Sequence, residues 1–188
     1  MNNSNNIYPI SFSIPKCKII NFIPHKTRMN APMIPGKKNT YIYDNETDYY
    51  NQYKESYFGI TCKKSGWDCL RHYEILANGC IPIFLDLNKC PTHTIYHFPK
   101  KILYEIYSLP KTEVILNYDY HVNNLLEYTR KYLTTEAMAN YILHSINKKD
   151  AKKILFLSGL TEYAISPDYL RCLTLHGFKE ILLDNCHD

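Results

Sequence analysis

At 188 residues the chain can form one ordinary domain with its own core, or one domain and part of another, but not two complete large α/β domains. Its apolar fraction of 45% and charged fraction of 21% are normal for a globular protein. The net charge is only +4, and the basic residues are scattered in pairs among acidic ones, without the dense basic stripe of a nucleic-acid-binding protein. We therefore expect no nucleic-acid partner.

The cysteines and the N-terminus indicate the compartment. The 7 cysteines are odd in number and include no CxxC pair. The opening Met-Asn-Asn-Ser-Asn-Asn lacks the basic and apolar regions of a secretory signal. These features predict a reduced, cytoplasmic protein with free thiols. No apolar run approaches the roughly 20 residues needed to span a bilayer, so no integral membrane segment is expected.

The first part of the chain has little helical periodicity. Residues 1–15 are predicted to be a disordered leader. Residues 16–23 form a short β-branched stretch that predicts the first strand. Residues 24–39 contain Pro24, Pro32, Pro35 and Gly36 among four basic side chains, which indicates a cationic surface loop.

The central part predicts a βαβ unit. Tyrosines at helical spacing predict an amphipathic helix over residues 47–56, and a short buried strand follows at 57–61. A basic turn leads into a helix over residues 67–78, Gly79 supplies a left-handed stop, and residues 81–85 form the next strand. Strand, helix and strand in this order imply a parallel sheet.

The remaining sequence predicts further helices and a boundary. The pattern indicates a helix over residues 99–108, a strand over 113–117, and one broken helix or two consecutive helices over 123–147. After the boundary at Lys148-Lys149-Asp150, residues 153–159 predict a strand with a Gly turn and residues 168–182 predict its helix.

These elements predict an α/β fold built on a Rossmann-like parallel sheet with flanking helices. Its predicted divisions are the leader at residues 1–15, a Rossmann-like domain at 16–118, a helical linker at 119–150, and the start of a second, incomplete α/β unit at 151–188.

The turn and helix of the central unit suit an anion. Ser65 can cap the helix and Asp68 can complete a reciprocal capping box, which leaves free N–H groups and the positive dipole end facing the preceding turn. Two lysines beside this helix start favour phosphate. On the polar face of the helix, Arg71 offers a fork of donors and Glu74 can accept from vicinal sugar hydroxyls.

Together these features suit a nucleoside diphosphate bound at the carboxyl edge of the sheet. An alternative for Arg71 and Glu74 is a plain i, i+3 ion pair on a solvated surface, worth roughly a few tenths of a kcal/mol. The predicted substrate-binding residues are Thr61, Lys63, Lys64, Ser65, Gly66, Arg71 and Glu74.

The same stretch resembles a known family. The segment Tyr-Phe-Gly-Ile-Thr at residues 57–61, the Arg and Glu of the next helix, and the Gly-Cys-Ile-Pro turn at 79–82 resemble the donor-binding motif of exostosin-like glycosyltransferases. The resemblance covers about residues 40 to 100. It implies the GT-B class, in which two Rossmann-like domains face each other and the C-terminal one holds the nucleotide sugar. It also implies that Arg71 approaches the diphosphate and Glu74 the ribose or sugar hydroxyls.

The chain departs from that family in two places. The first 60 residues are too few to build the acceptor domain that would precede the donor domain. Residues 153–159, with 167–171 and 175–177, resemble the opening of a Rossmann-like domain found in related glycosyltransferase-like proteins. We therefore expect a truncated protein, half of a GT-B-like architecture.

The leading hypothesis is a glycosyltransferase-like protein that binds a nucleoside-diphosphate sugar. If it is an active enzyme, it transfers the sugar to an unidentified glycan, lipid or protein acceptor. Lys63, Lys64, Arg71 and helix N–H groups would stabilise the leaving diphosphate. No residue is a convincing general base, so no catalytic residue is assigned. The alternatives are an inactive truncated remnant or interaction module with the donor-domain fold, and a nucleotide-binding regulator without sugar chemistry.

Three other patterns in the sequence bear on function. Cys90, His93 and His97 match no closed zinc site, so no metal and no cofactor is predicted. Ser158-Gly159 is half of a phosphate loop or, more simply, a strand-to-helix turn. The tyrosines form either a stacking wall for a base or sugar, or part of the core; they are Tyr41, Tyr43, Tyr49, Tyr50 and Tyr53.

Overall fold

The computed structural model describes residues 7–157 and 168–188 of the chain. Over these residues the protein is a mixed α/β structure with seven α-helices, a three-stranded parallel sheet and a two-stranded parallel sheet. In chain order the elements are β1 (Arg28–Asn30), α1 (Glu46–Lys54), β2 (Ser56–Cys62), α2 (Leu70–Ala77), β3 (Ile81–Leu85), α3 (Lys100–Tyr107), α4 (Lys111–Leu116), α5 (Tyr118–Tyr128), α6 (Thr135–Ser145), β4 (Ile154–Leu155), α7 (Tyr169–Leu182) and β5 (Cys186–His187).

The larger sheet has the strand order β1-β2-β3, with both pairings parallel. α2 connects β2 to β3, which confirms the predicted βαβ unit. Gly59 in β2 allows Ile75 of α2 to pack close to the strand, because a Cβ there would lie 3.0 Å from Ile75. Gly79 ends the helix with a φ of 61°, the left-handed conformation that the sequence predicts.

The start of α2 differs from the prediction. The helix begins at Leu70, after Cys69, and no side chain caps it, so Ser65 and Asp68 do not form a capping box. Asp68 instead accepts hydrogen bonds from the Phe12 backbone N–H at 2.7 Å and from the Tyr73 hydroxyl at 2.9 Å. The Asp68 carboxylate, which the sequence predicts to cap the helix, is therefore hydrogen-bonded to Phe12 of the N-terminal segment and to Tyr73.

The predicted strand over residues 16–23 is wrong. Lys16–Lys18 form a single 3-10 turn, and Ile20 packs near the end of α2, where its N–H donates to the Ala77 carbonyl at 2.9 Å. The first strand lies instead in the predicted basic loop, as β1. All three residues of β1 are exposed, so it has no apolar pattern and forms only through backbone pairing with β2.

Part of the predicted disordered leader is packed. Ser11, Ser13 and Ile14 are buried, and Ile14 is 1% exposed. The Ile14 N–H donates to the Leu133 carbonyl at 2.9 Å, and the Thr135 N–H donates to the Ile14 carbonyl at 3.1 Å. Backbone hydrogen bonds of this kind tie the segment to the turn before α6.

The predicted strand over residues 113–117 is also wrong, because these residues lie in and beside α4. Pro110 precedes the first turn of this helix, a position where the backbone N–H has no hydrogen-bond partner within the helix, so its absence in proline costs nothing. The Val114 N–H donates to the Pro110 carbonyl at 3.1 Å, and the Val114 side chain is buried. The β-branched pair Val114 and Ile115 favours a strand, but the segment forms a helix that packs Val114 against the core.

The predicted helices over residues 123–147 are confirmed as two, α5 and α6, although α5 begins earlier, at Tyr118. A π-helical turn at Thr129–Leu133 separates them, and Thr134 caps α6 by accepting from the Ala137 N–H at 3.1 Å. Val122, Leu125 and Leu126 of α5 share a core cluster with β3 and α2. The predicted linker is therefore packed into the same core as the sheet.

The last part of the chain packs on α6. α7 spans the predicted helix, and Asp168 caps it by accepting from the Arg171 N–H at 3.1 Å. β4 and β5 pair in parallel, and Ala139, Leu143, Phe178 and Cys186 form a separate small core. The predicted phosphate-loop residues Ser158 and Gly159 lie outside the described residues.

None of the helices within residues 7–157 and 168–188 combines the length and the apolar character that crossing a membrane requires.

Gly177 is the point of closest approach between α6 and α7, because a Cβ there would lie 2.1 Å from the Thr135 carbonyl oxygen. We expect Gly177→Ala to lower the free energy of unfolding by about 1–3 kcal/mol, since the helices must separate. Gly66→Ala is the control, because no atom of residues 7–157 and 168–188 lies within 4 Å of its Cβ position. Urea denaturation measures both variants, and equal stability would contradict the packing of α7 on α6.

Candidate functional site

A cavity of about 610 Å³ lies where β2 ends and α2 begins. Its walls come from the turn after β2, the first turns of α2, Tyr49 of α1, Phe12 of the N-terminal segment and Tyr169 at the start of α7. This is the carboxyl edge of the parallel sheet, where α/β proteins usually bind ligands. The predicted site residues that line it are Lys64, Ser65, Gly66, Arg71 and Glu74.

Arg71 is the most unusual residue of the cavity. Its side chain is buried, with 7% of the residue exposed, yet its Nε and Nη1 have no hydrogen-bond partner among the described residues. Only Nη2 is engaged, donating to the Tyr41 hydroxyl at 3.1 Å. A buried, unpaired guanidinium nitrogen is unfavourable without a partner, so two strong donors are left without an acceptor beside this cavity.

Tyr41 supports the cationic side of the site. The Arg71 guanidinium lies 5.5 Å from the centre of its ring, and the Lys64 ammonium lies 5.7 Å from it. Partial burial would raise the pKa of the Tyr41 hydroxyl, but the charge and hydrogen bond of Arg71 hold that pKa below its ordinary value. The ring thus holds two cations close to one place, which favours an anion with more than one charge.

Glu74 supplies the acidic part of the cavity. Its Oε2 accepts a hydrogen bond from the Tyr49 hydroxyl at 2.7 Å. Burial raises the pKa of Glu74, against the lowering effects of that hydrogen bond and of the Arg71 charge. The predicted solvated face of α2 is therefore covered by α1, and the plain surface ion pair between Arg71 and Glu74 does not form.

Two of the predicted site residues do not line the cavity. The Lys63 ammonium lies over the Trp67 ring, 5.6 Å from its centre. Thr61 is fully buried and donates from its hydroxyl to His72 Nδ1 at 2.7 Å, while His72 Nε2 donates to the Trp67 carbonyl at 2.9 Å. Because a carbonyl only accepts, Nε2 carries the proton and the neutral ring accepts from Thr61. Thr61 therefore holds the core together instead of touching the cavity.

The sequence missed some residues of the site and placed others only in part. Tyr41 and Tyr49 belong to the predicted tyrosine wall, and they contact Arg71 and Glu74, whereas Tyr53 is fully buried core. Phe12 and Tyr169 had no local signal, because only the folded chain brings the N-terminal segment and the start of α7 to the cavity. Within residues 7–157 and 168–188, no group of three or more His, Cys, Asp or Glu side chains is placed to hold a metal ion.

Comparison of the chain with models of protein families, with curated proteins and with solved structures finds no match. The functional argument therefore depends on the geometry of the cavity and on the chemistry of its residues.

The unpaired guanidinium predicts a gain in stability when it is removed. We expect Arg71→Met to raise the free energy of unfolding of the ligand-free protein by about 1 kcal/mol or more, because each unsatisfied buried donor costs about 1–3 kcal/mol. Lys64→Met, in the same cavity but more exposed, should change it by less than about 0.5 kcal/mol. Denaturation of the ligand-free protein measures this, and a large loss of stability in Arg71→Met would show that Arg71 serves the fold.

His72 predicts a pH dependence of stability. Burial lowers its pKa to about 4 from an ordinary value of 6.5. Between those values the unfolded chain binds the proton and the folded chain does not, so stability is lost as the pH falls from 6.5 towards 4. The contribution of this group is about 1.4 kcal/mol per pH unit.

The measurement is the free energy of unfolding against pH for the wild type and for His72→Gln. The variant should be less stable at pH 7, and its curve should be shallower between pH 6.5 and 4. Parallel curves would mean that His72 is not held neutral in the folded protein.

Proposed function

We propose that the protein is a glycosyltransferase-like protein that binds a nucleoside-diphosphate sugar in the cavity at the start of α2. The observation that carries the proposal is Arg71, buried with two free donors in a cavity that Lys64 also lines. Planar guanidinium donors match phosphate oxygens in pairs, and the N-terminus of α2 adds a favourable dipole. The diphosphate would lie against these groups.

Glu74 supports the sugar part of the proposal. A carboxylate that accepts from Tyr49 has remaining lone pairs for the hydroxyls of a ribose or a hexose. The parallel β2-α2-β3 unit, with the cavity beyond the end of β2, is compatible with a Rossmann-like donor domain. The exostosin-like resemblance and the GT-B class remain part of this proposal.

Transfer of the sugar would depend on stabilising the leaving diphosphate. The acceptor oxygen would form a bond to the anomeric carbon as the bond from that carbon to the diphosphate oxygen breaks, and the acceptor proton would pass to the released diphosphate or to water. Arg71 and Lys64 would stabilise the negative charge that grows on the diphosphate oxygen. The acceptor would be a hydroxyl of a glycan, lipid or protein.

A second candidate function is donor binding without transfer, by a remnant or interaction module. It is favoured by the hydrogen bonds that the carboxylates of the cavity already accept. Both oxygens of Asp68 accept hydrogen bonds, from Phe12 and Tyr73, and Glu74 accepts from Tyr49. Both oxygens of Asp68 are thus engaged, and the remaining lone pairs of Glu74 are assigned to the hydroxyls of the donor, so neither carboxylate is left to take a proton from an acceptor, as a general base must.

Calorimetry of the full chain with UDP, GDP and their sugars tests donor binding. We expect binding in the micromolar to millimolar range, and Arg71→Ala should weaken it about 10- to 100-fold, because hydrogen bonds to charged groups contribute about 1.5–3 kcal/mol. Glu74→Ala should weaken the binding of sugar nucleotides. The matched control is the surface ion pair of Arg28 and Glu55, whose alanine variants should bind as the wild type does.

Absence of binding at millimolar ligand, or unchanged affinity in Arg71→Ala, would contradict the proposal. Release of UDP or GDP from a sugar nucleotide, measured with candidate acceptors present, separates the two functions. Binding with no release or transfer would favour the non-catalytic module.

A further inference from the structure

The cavity contains an aromatic pair that the predicted donor segment does not include. Phe12 comes from the N-terminal segment, and Tyr169 is the first residue of α7. Their ring centres are 6.3 Å apart and their planes are inclined by 59°. Both residues line the same cavity as Arg71 and Lys64.

The start of α2 holds Phe12 in place. The Phe12 N–H donates to Asp68 Oδ2 at 2.7 Å, and Asp68 Oδ1 accepts from the hydroxyl of Tyr73, which is fully buried. Burial raises the pKa of Asp68, against these hydrogen bonds. The position of the Phe12 backbone is thus coupled to the same helix turn that carries Arg71.

Tyr169 is positioned by α7 and remains partly exposed to solvent. It follows the capping residue Asp168 at the start of α7, a helix anchored on α6 through Gly177. Tyr169 is 43% exposed although its ring contacts Phe12. A ring that contacts a second aromatic ring and is only half covered is suited to stacking a planar ligand group on its open part.

We propose that Tyr169, supported by Phe12, is the platform on which the nucleobase of the ligand stacks. This inference rests on the proposed function, because the diphosphate placed against Arg71 brings the nucleoside into the same cavity. Stacking on an aromatic ring recognises the π face of any base, so it adds affinity for nucleotides over bare diphosphate without selecting one base. Phe12 of the N-terminal segment and Tyr169 of α7 would thereby complete a site that the central unit only begins.

The test compares inorganic pyrophosphate with UDP and GDP on the full chain. Tyr169→Ala should weaken UDP and GDP binding about 5- to 150-fold, the usual range for loss of a stacking aromatic, and should leave pyrophosphate affinity unchanged. Arg71→Ala should weaken all three ligands. Tyr169→Phe and Tyr169→Trp should bind nucleotides as well as the wild type, because they keep the ring. Tyr104→Ala is the control, since Tyr104 is also 43% exposed but lies on α3, outside this cavity.

The outcomes separate the two proposals. If the wild type binds pyrophosphate and nucleotides, but Tyr169→Ala binds nucleotides unchanged or loses pyrophosphate by the same factor, the stacking role is overturned and the diphosphate site stands. If the wild type binds none of the three, the proposed function itself fails. Tyr169→Leu, which keeps an apolar side chain without an aromatic face, should behave as Tyr169→Ala, and it guards against a folding defect in the alanine variant.

Discussion

The burial of Arg71 is the constraint on which the site depends. α2 is buried on its apolar face by the sheet and α5, and its polar face is covered by α1 and Tyr41, so the guanidinium is removed from bulk water. Two of its nitrogens find no acceptor among the residues that the structure describes. An unpaired buried donor is unfavourable, and under the proposed function an anionic ligand in the adjoining cavity would supply the missing acceptors.

The residues around Arg71 hold its guanidinium in place but leave two of its nitrogens without a hydrogen-bond acceptor among the described residues. The Tyr41 hydroxyl accepts a hydrogen bond from Arg71 Nη2. The Tyr49 hydroxyl donates to Glu74, which would otherwise be the natural ion-pair partner of Arg71 three residues before it. Asp68 is similarly occupied by Phe12 and Tyr73. Each acidic group near the cavity therefore has a hydrogen-bond donor of its own, and the positive charge of Arg71 and Lys64 is left for a ligand.

The parts of the fold that could be predicted are those specified by local sequence. The βαβ unit followed from a buried strand, a Gly-terminated helix and a second apolar strand, all within a short stretch, and the structure confirms it. β1 could not be predicted, because an exposed edge strand is formed by backbone pairing and needs no apolar pattern. The helix α4 was missed because packing of Val114 outweighed the strand preference of its β-branched residues.

For the site, the sequence by itself determined the chemistry of one wall: the turn after β2 and the polar residues of α2, of which Lys64, Ser65, Gly66, Arg71 and Glu74 line the cavity. Residue spacing on a helix is a local property, so it could be read directly. Only the tertiary structure decided that Thr61 and Lys63 point elsewhere, that Asp68 is bound to Phe12, and that Tyr169 completes the opposite wall. The contacts of Asp68 with Phe12 and of Phe12 with Tyr169 join residues far apart in the chain, and burial by distant segments leaves no trace in the local pattern. Thr61 and Lys63 contact nearer residues, His72 and Trp67, which only the folded turn after β2 brings against them.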